Sequence, residues 1–332
     1  MSKLPALRSE LRTFPALLVA LMGGLMAAAG TVPALAQGRG DWTRGTPMPS
    51  ERTEVAAAEV GGRIFVVGGF GGQRELEIYD PGTDRWSRGA TFPHAVHHAA
   101  AVGLNGKLYV VGGYVGGWSP SDAAFVYDPA TSAWRALAAM PTPRGALAAA
   151  VVDGKIHAVS GVAPTGRNTS AHELYDPATN RWMAIESFPT PRDHHTAAAV
   201  DGRLYAIGGR RNGNYSQNLD TAEVYDPATK RWQPRAGMPT ARSGIAAAVL
   251  DGRIFIFGGE APAGTFGEVE AYNPKTNSWS AHARMPTPRH GLGAAIVGGR
   301  IYGSPADRGP GTHRRPPTRF SGRDRFAGRA AC

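Results

Sequence analysis

Arg203-Leu204-Tyr205-Ala206-Ile207-Gly208-Gly209 decides how the chain is read. A short run rich in branched and aromatic side chains ends in two residues that have none, so the run is a strand and the glycines are its exit turn. The same text recurs as RIFVVGG ending at Gly68-Gly69, KLYVVGG at Gly112-Gly113 and RIFIFGG at Gly258-Gly259. KIHAVSG, from Lys155 to Gly161, is a fifth copy with Ser160 for the first glycine. Doublets that begin at 68, 112, 160, 208 and 258 are spaced by 44, 48, 48 and 50 residues, a period that marks a repeat architecture.

Outward from the doublet, the unit from Arg181 to Thr240 has a fixed order. Trp182 is followed by a Phe188-Pro189-Thr190-Pro191-Arg192 turn, a small-residue strand a (195 to 200), Asp201-Gly202, strand b (203 to 207) and the doublet. A variable loop leads to strand c (222 to 225), Asp226-Pro227 and strand d around Trp232. Asp-Gly between a and b suits a two-residue primed turn, and proline after c stops that strand because it cannot donate to a ladder. Each unit is thus expected to be a four-stranded antiparallel meander. Trp42, Trp86, Trp134, Trp182, Trp232 and Trp279 keep phase with the doublets, and Tyr79, Tyr127, Tyr175, Tyr225 and Tyr272 mark strand c. One meander cannot bury both faces, so successive sheets stack, with these aromatics between them, and radial stacking makes a propeller. Alanine-rich a strands (Ala148-Ala149-Ala150, Ala197-Ala198-Ala199) belong at its crowded axis.

A strand ending in a glycine doublet, then Tyr-Asp-Pro and a spaced Trp, resembles the Kelch repeat, whose family forms β-propellers. The resemblance runs from 41 to about 302, with departures at Phe125 in repeat 2 and at Ser160 in repeat 3. The expectation is an all-β, Kelch-type propeller of six blades of four antiparallel strands. Five units are complete. The resemblance implies that the last blade is shared between the chain ends, 289 to 302 with 41 to 46, and the text leaves it incomplete.

The ends read differently. Lys3, Arg8 and Arg12 precede an apolar stretch from Phe14 to Ala29 and an Ala34-Leu35-Ala36 cleavage site, so residues 1–36 are expected to be a signal peptide and 37–302 the propeller. A secreted or periplasmic monomer follows, with no membrane span. After Tyr302 the text turns rich in Arg, Gly and Pro, so 303–332 is expected to be a disordered tail or a frame-shifted gene end. Cys332 is the one cysteine, so no internal disulfide can form. The net charge of +10 divides into +3 over residues 1 to 40, +5 over 303 to 332 and +2 over the body, which removes the case for nucleic acid as a partner.

Strand alternation puts the d-to-a and b-to-c connections at one end of the channel, where long loops on a rigid scaffold favour binding. Three residues after the proline of each d-to-a turn stand Arg52, Arg144, Arg192, Arg242 and Arg289, with Val96 in repeat 2. They form either a ring of guanidinium forks for an anion or sugar acid, or structural pairs with strand-c Glu77, Glu173, Glu223 and Glu270. His97, His98, Asp193, His194, His195 and His290 follow the same turn in units 2, 4 and 6. Alternate blades are expected to hold these apart, so no metal site and no cofactor is expected. In the variable loops Trp118, out of phase with the blade tryptophans, and Tyr215 could stack on a sugar or peptide, and Glu260 adds a carboxylate.

Several chemistries are disfavoured. The resemblance extends to the propeller of galactose oxidase, whose copper-radical site needs a cysteine that only Cys332 could supply. No Gly-x-Ser-x-Gly elbow, His-Glu-x-x-His helix or P-loop occurs. The expectation is an exported binding module that engages a protein or carbohydrate on the loop face. The alternative is a sugar-acid mutarotase or epimerase, since exported six-bladed Kelch proteins include a sialic acid mutarotase. Glu260, Asp193 and His194 would be its acid–base groups.

Overall fold

The computed structural model describes residues 41–303 and 323–327, all within one unit, Leu35–Cys332. Strands are the only regular elements among them, and none of the described residues forms a helix long and apolar enough to cross a membrane. Residues 1–36, read as a signal peptide, lie outside the described residues.

Five blades are contiguous four-stranded antiparallel meanders. In the first, strands a (Ala56–Val60), b (Arg63–Val67), c (Leu76–Asp80) and d (Arg85–Arg88) pair in chain order. The next four begin at Ala100–Leu104, Ala148–Val152, Thr196–Val200 and Ala246–Leu250. The a-to-b hairpins carry Asn105-Gly106, Asp153-Gly154, Asp201-Gly202 and Asp251-Gly252, all at positive φ, the geometry of the primed turn read from Asp-Gly.

Contiguous blades number five, one fewer than the six expected. The remaining sheet draws on both ends of the chain, Ala294–Val297, Arg300–Gly303, Arg323–Ala327 and Asp41–Gly45 in spatial order. The expectation of an incomplete last blade and a strandless tail is corrected on this point. Arg323–Ala327 pairs with both neighbours, in registers that include Tyr302↔Arg325 and Trp42↔Phe326. Nineteen residues of intervening text, 304–322, hide the strand from a reading based on the repeat period. Ala294–Val297 packs between the a strands of the fifth and first blades.

Blades are joined by repeated contacts. Each phased tryptophan donates its indole N–H to a carbonyl of the preceding unit: Trp134 to Ala90, Trp182 to Ala138 and Trp279 to Ala236, each at 2.8 Å. Trp42 reaches Ala283 in the same way at 2.9 Å, and Trp86 reaches Thr46 at 3.1 Å. Thus Asp41–Gly45 is tied to the fifth blade and the first blade to the segment that follows that strand. The strand-c tyrosines are almost wholly enclosed against these indoles, with Tyr127–Trp134 centroids 5.0 Å apart. Alanine dominates the inner strands because they converge on the axis.

The doublets have a second task. Both residues take positive φ (64° and 98° at Gly208 and Gly209), and the second donates to a carbonyl of the next d-to-a turn, Gly209 to Arg242 at 3.0 Å. A Cβ on Gly209 would lie 2.7 Å from the Asp193 carbonyl oxygen, so glycine is required there by conformation and by space. Ser160 adopts the same conformation, φ 51°, and holds it with Oγ bonds to the Thr169 and Arg192 carbonyls.

Candidate functional site at the channel mouth

The mouth is built on a ring of backbone hydrogen bonds. Glu54, His98, Ala146, His194, Gly244 and Gly291 occupy equivalent positions, all at positive φ. The N–H of His98 donates to Glu54, Ala146 to His98, His194 to Ala146, Gly244 to His194 and Gly291 to Gly244, over 2.9 to 3.1 Å. Val55 N–H donates to Gly291 at 3.3 Å and returns the circuit to its start. Three of the six positions carry large polar side chains and three carry alanine or glycine, so the large ones project over the small ones and meet at the axis.

A second register supplies the rest. In the five contiguous units the residue before the ring position bridges the residue after the doublet: Thr53↔Phe70, His97↔Tyr114, Gly145↔Val162, Asp193↔Arg210 and Ser243↔Glu260. These bridges hold the start of each b-to-c loop against the ring.

The resulting cluster is dense in charge. His194 bonds Asp193 Oδ1 through Nδ1 at 2.5 Å, and Arg210 NH2 lies 2.9 Å from His194 Nε2. Arg210 also pairs with Asp193 through Nε at 3.3 Å and with Glu260 Oε1 through NH1 at 2.5 Å. His98 Nε2 stands 3.3 Å from Glu54 Oε2, and His290 Nε2 stands 3.6 Å from both Glu54 Oε1 and Glu260 Oε2. Burial disfavours charge on Glu54 and raises its pKa, against the pull of His194 and His290. Burial likewise pushes His98 well below its ordinary value. At Asp193 burial works the other way, but the hydrogen bond and charge of His194, with Asn168 and the Gly213 N–H, outweigh it and hold the carboxyl at about 2.

Aromatic side chains rim the cluster. Trp118, at the tip of the Tyr114–Val115/Ser119–Pro120 hairpin, is 64% exposed and contacts Phe70, His97 and Tyr114 at centroid distances of 5.9, 4.9 and 5.1 Å. Tyr215, 43% exposed on strand Asn214–Asn218, covers the Arg210 guanidinium at 4.1 Å.

The sequence candidates therefore separate into two groups. His98, Asp193, His194, Glu260, Trp118 and Tyr215 gather at the mouth, with His97 and His290. The turn arginines do not join them and take the second of their two readings, as structural pairs: Arg52, Arg144, Arg192 and Arg242 are enclosed and pair with Glu77, Glu173, Glu223 and Glu270 at 2.7, 2.6, 2.5 and 2.5 Å. Their guanidiniums also bond backbone carbonyls, as Arg192 does with Ala206. Arg289 is buried as well. His195 faces away, stacked on Phe188 at 5.8 Å. Separation of the histidines by alternate blades also fails as an expectation, because the small ring residues let the His98 and His194 rings approach to 4.8 Å.

Glu54 and Arg210 were not singled out by the sequence reading. Aligning the repeats on the ring position would have paired Glu54 with His98 and His194, and aligning them on the residue after the doublet would have paired Arg210 with Glu260.

Fold and site together define a β-propeller with Kelch-type blades and a polar channel mouth. A family model for the KLHDC2/KLHL20/DRC7 Kelch-repeats domain matches residues 39–188 and 175–305, and the chain belongs to the Kelch-repeat family. Among solved structures it is similar to one titled "Structure of YjhT", at 15% identity, with 80% of this chain and 93% of that chain covered and a TM-score of 0.70. At that identity the likeness concerns the fold. No curated protein matches the chain.

Proposed function

We propose that the chain is an exported carbohydrate-binding Kelch propeller whose ligand sits over the channel mouth, with the two-ended sheet acting as its sixth blade. One observation carries the reading: Trp118 and Tyr215, exposed on different loops, flank a sunken cluster of carboxylates, imidazoles and one guanidinium. A sugar ring presents an apolar face for stacking and hydroxyls for such groups. A protein ligand would be favoured by a broad apolar face. The exposed large hydrophobics among the described residues are Trp118, Met183 and Tyr215, too few for one. Export rests on the Lys3–Ala36 pattern.

A glycan array probed with purified protein tests this. Binding to a restricted set of glycans that Trp118→Ala weakens supports it. No glycan signal, or one indifferent to Trp118→Ala, removes it.

A mutarotase reading is favoured by a different observation, that burial raises the pKa of Glu54 while the hydrogen bond and charge of His194 help hold that of Asp193 low. Groups whose environments drive their pKa values apart suit acid–base work. Sugar acids fit less well as substrates, because four of the turn arginines are consumed by blade glutamates and Arg210 is shared by Asp193 and Glu260. Anomer exchange followed by NMR on neutral and carboxylated sugars tests this reading; rates equal to buffer exclude it.

A further inference from the structure

Two carboxylates and an imidazole meet at the mouth in a geometry that hydrogen bonding does not explain. His290 Nε2 is 3.6 Å from Glu54 Oε1 and 3.6 Å from Glu260 Oε2. Charge-assisted N–H···O bonds close to about 2.7–2.9 Å. Ligand atoms of a tetrahedral ion with bonds of roughly 2.0–2.1 Å stand about 3.4 Å apart. The observed separations match the second spacing, and the three ligand atoms all lie within 4.8 Å of one another.

The remaining oxygen of each carboxylate is already held. Glu54 Oε2 faces His98 Nε2 at 3.3 Å, and Glu260 Oε1 takes the Arg210 guanidinium at 2.5 Å. Such outer contacts fix which oxygen a carboxylate turns toward an ion. A neighbouring trio, Glu54, His98 and His194, is equally compact, but both nitrogens of His194 are engaged, by Asp193 and Arg210. Charge points the same way. Glu54, Asp193 and Glu260 bring three carboxyl groups to the cluster against the single guanidinium of Arg210.

We propose that Glu54, Glu260 and His290 bind one first-row divalent ion of the zinc or manganese type, with an open coordination position toward the mouth. One imidazole with two carboxylates suits these borderline to hard ions better than Cu(I), which favours sulfur. The inference stands apart from the carbohydrate reading, because it rests on ligand spacing and not on the aromatic rim.

Protein stripped with chelator and titrated separately with ZnCl2 and MnCl2 by calorimetry should bind one equivalent of at least one ion. His290→Ala and Glu260→Gln should each weaken binding at least about 100-fold, while Glu59→Gln, on an exposed strand position, binds like the parent. Anomalous scattering at the zinc edge from ZnCl2-soaked crystals should give a peak between Glu54, Glu260 and His290, and this readout needs no variant to fold. No saturable binding of either ion, binding indifferent to His290→Ala, or an anomalous peak only elsewhere would overturn the proposal. Loss of the metal site with glycan binding intact would leave the carbohydrate reading standing alone.

Discussion

Arg144 and Glu173 show how one residue type can serve the scaffold while looking like a binding ring. The pair is enclosed at 2.6 Å, with Thr142 Oγ1 donating to the second carboxylate oxygen at 2.6 Å. Removing one member strands a buried charge, which costs about 3–5 kcal/mol, whereas replacing both by apolar groups is often neutral. The second blade already carries that replacement: Val96 and Phe125 stand where the others have Arg and Glu, and they share one hydrophobic cluster. Arg144→Val alone should therefore lower unfolding stability by about that amount, and Arg144→Val with Glu173→Phe should recover most of it. Urea unfolding of the single and double variants checks this; additive losses would show that the pair is not the unit. Val96 and Phe125 were visible as two separate departures in the sequence. Their occurrence in one blade was the signal that arginine and glutamate belong to each other and not to a ligand.

At the scale of the element, the third blade differs by a buried pair of histidines. His157 Nδ1 lies 2.9 Å from His172 Nε2, where the fourth blade has Tyr205 and Ala222. Burial lowers both, His157 to about 4 and His172, with help from its neighbour's charge, to about 3. Both are neutral in the fold, while the unfolded chain takes up protons near pH 6.5. Stability from this pair is thus complete above about pH 6.5 and is lost as the pH falls toward 4 and 3. His157→Tyr with His172→Ala, copying the fourth blade, should flatten the fall in melting temperature between pH 6.5 and 4; an unchanged slope would assign acid sensitivity elsewhere.

The two-ended sheet invites a second test at the same scale. Asp41–Gly45 pairs with Arg323–Ala327 and with no other strand, so a chain ending at Gly303 leaves it unpaired. Truncation there should lower the melting temperature and admit protease at the first strand. A melt identical to the full chain would contradict the pairing. Blades were legible in the sequence because glycine, tyrosine and tryptophan recur at one period. Arg323–Ala327 was not, because it lacks those markers and follows a stretch without strand character.

For the whole molecule, the ring of six backbone positions turns a repetitive scaffold into a single asymmetric site. Where the repeat supplies alanine or glycine the axis stays open, and where it supplies Glu54, His98 and His194 polar groups fill the opening. Individual candidates such as His98, Asp193 and Glu260 were legible because they broke the repeat. Their convergence was not, since it depends on what the other three ring positions leave empty. Trp118→Ala should reduce affinity for a glycan by at least about tenfold, the range expected for one lost aromatic contact, without changing the melting temperature. Calorimetric titration with a glycan identified on the array, paired with a thermal melt, reads both.

Hydrogen exchange with and without that glycan tests the central claim most directly. The claim predicts slower exchange over 114–120, 210–218 and 260–265, the loops around the mouth, with the a-to-b turns at the opposite end unchanged. Protection confined to those opposite turns, or none at saturating glycan, would contradict it.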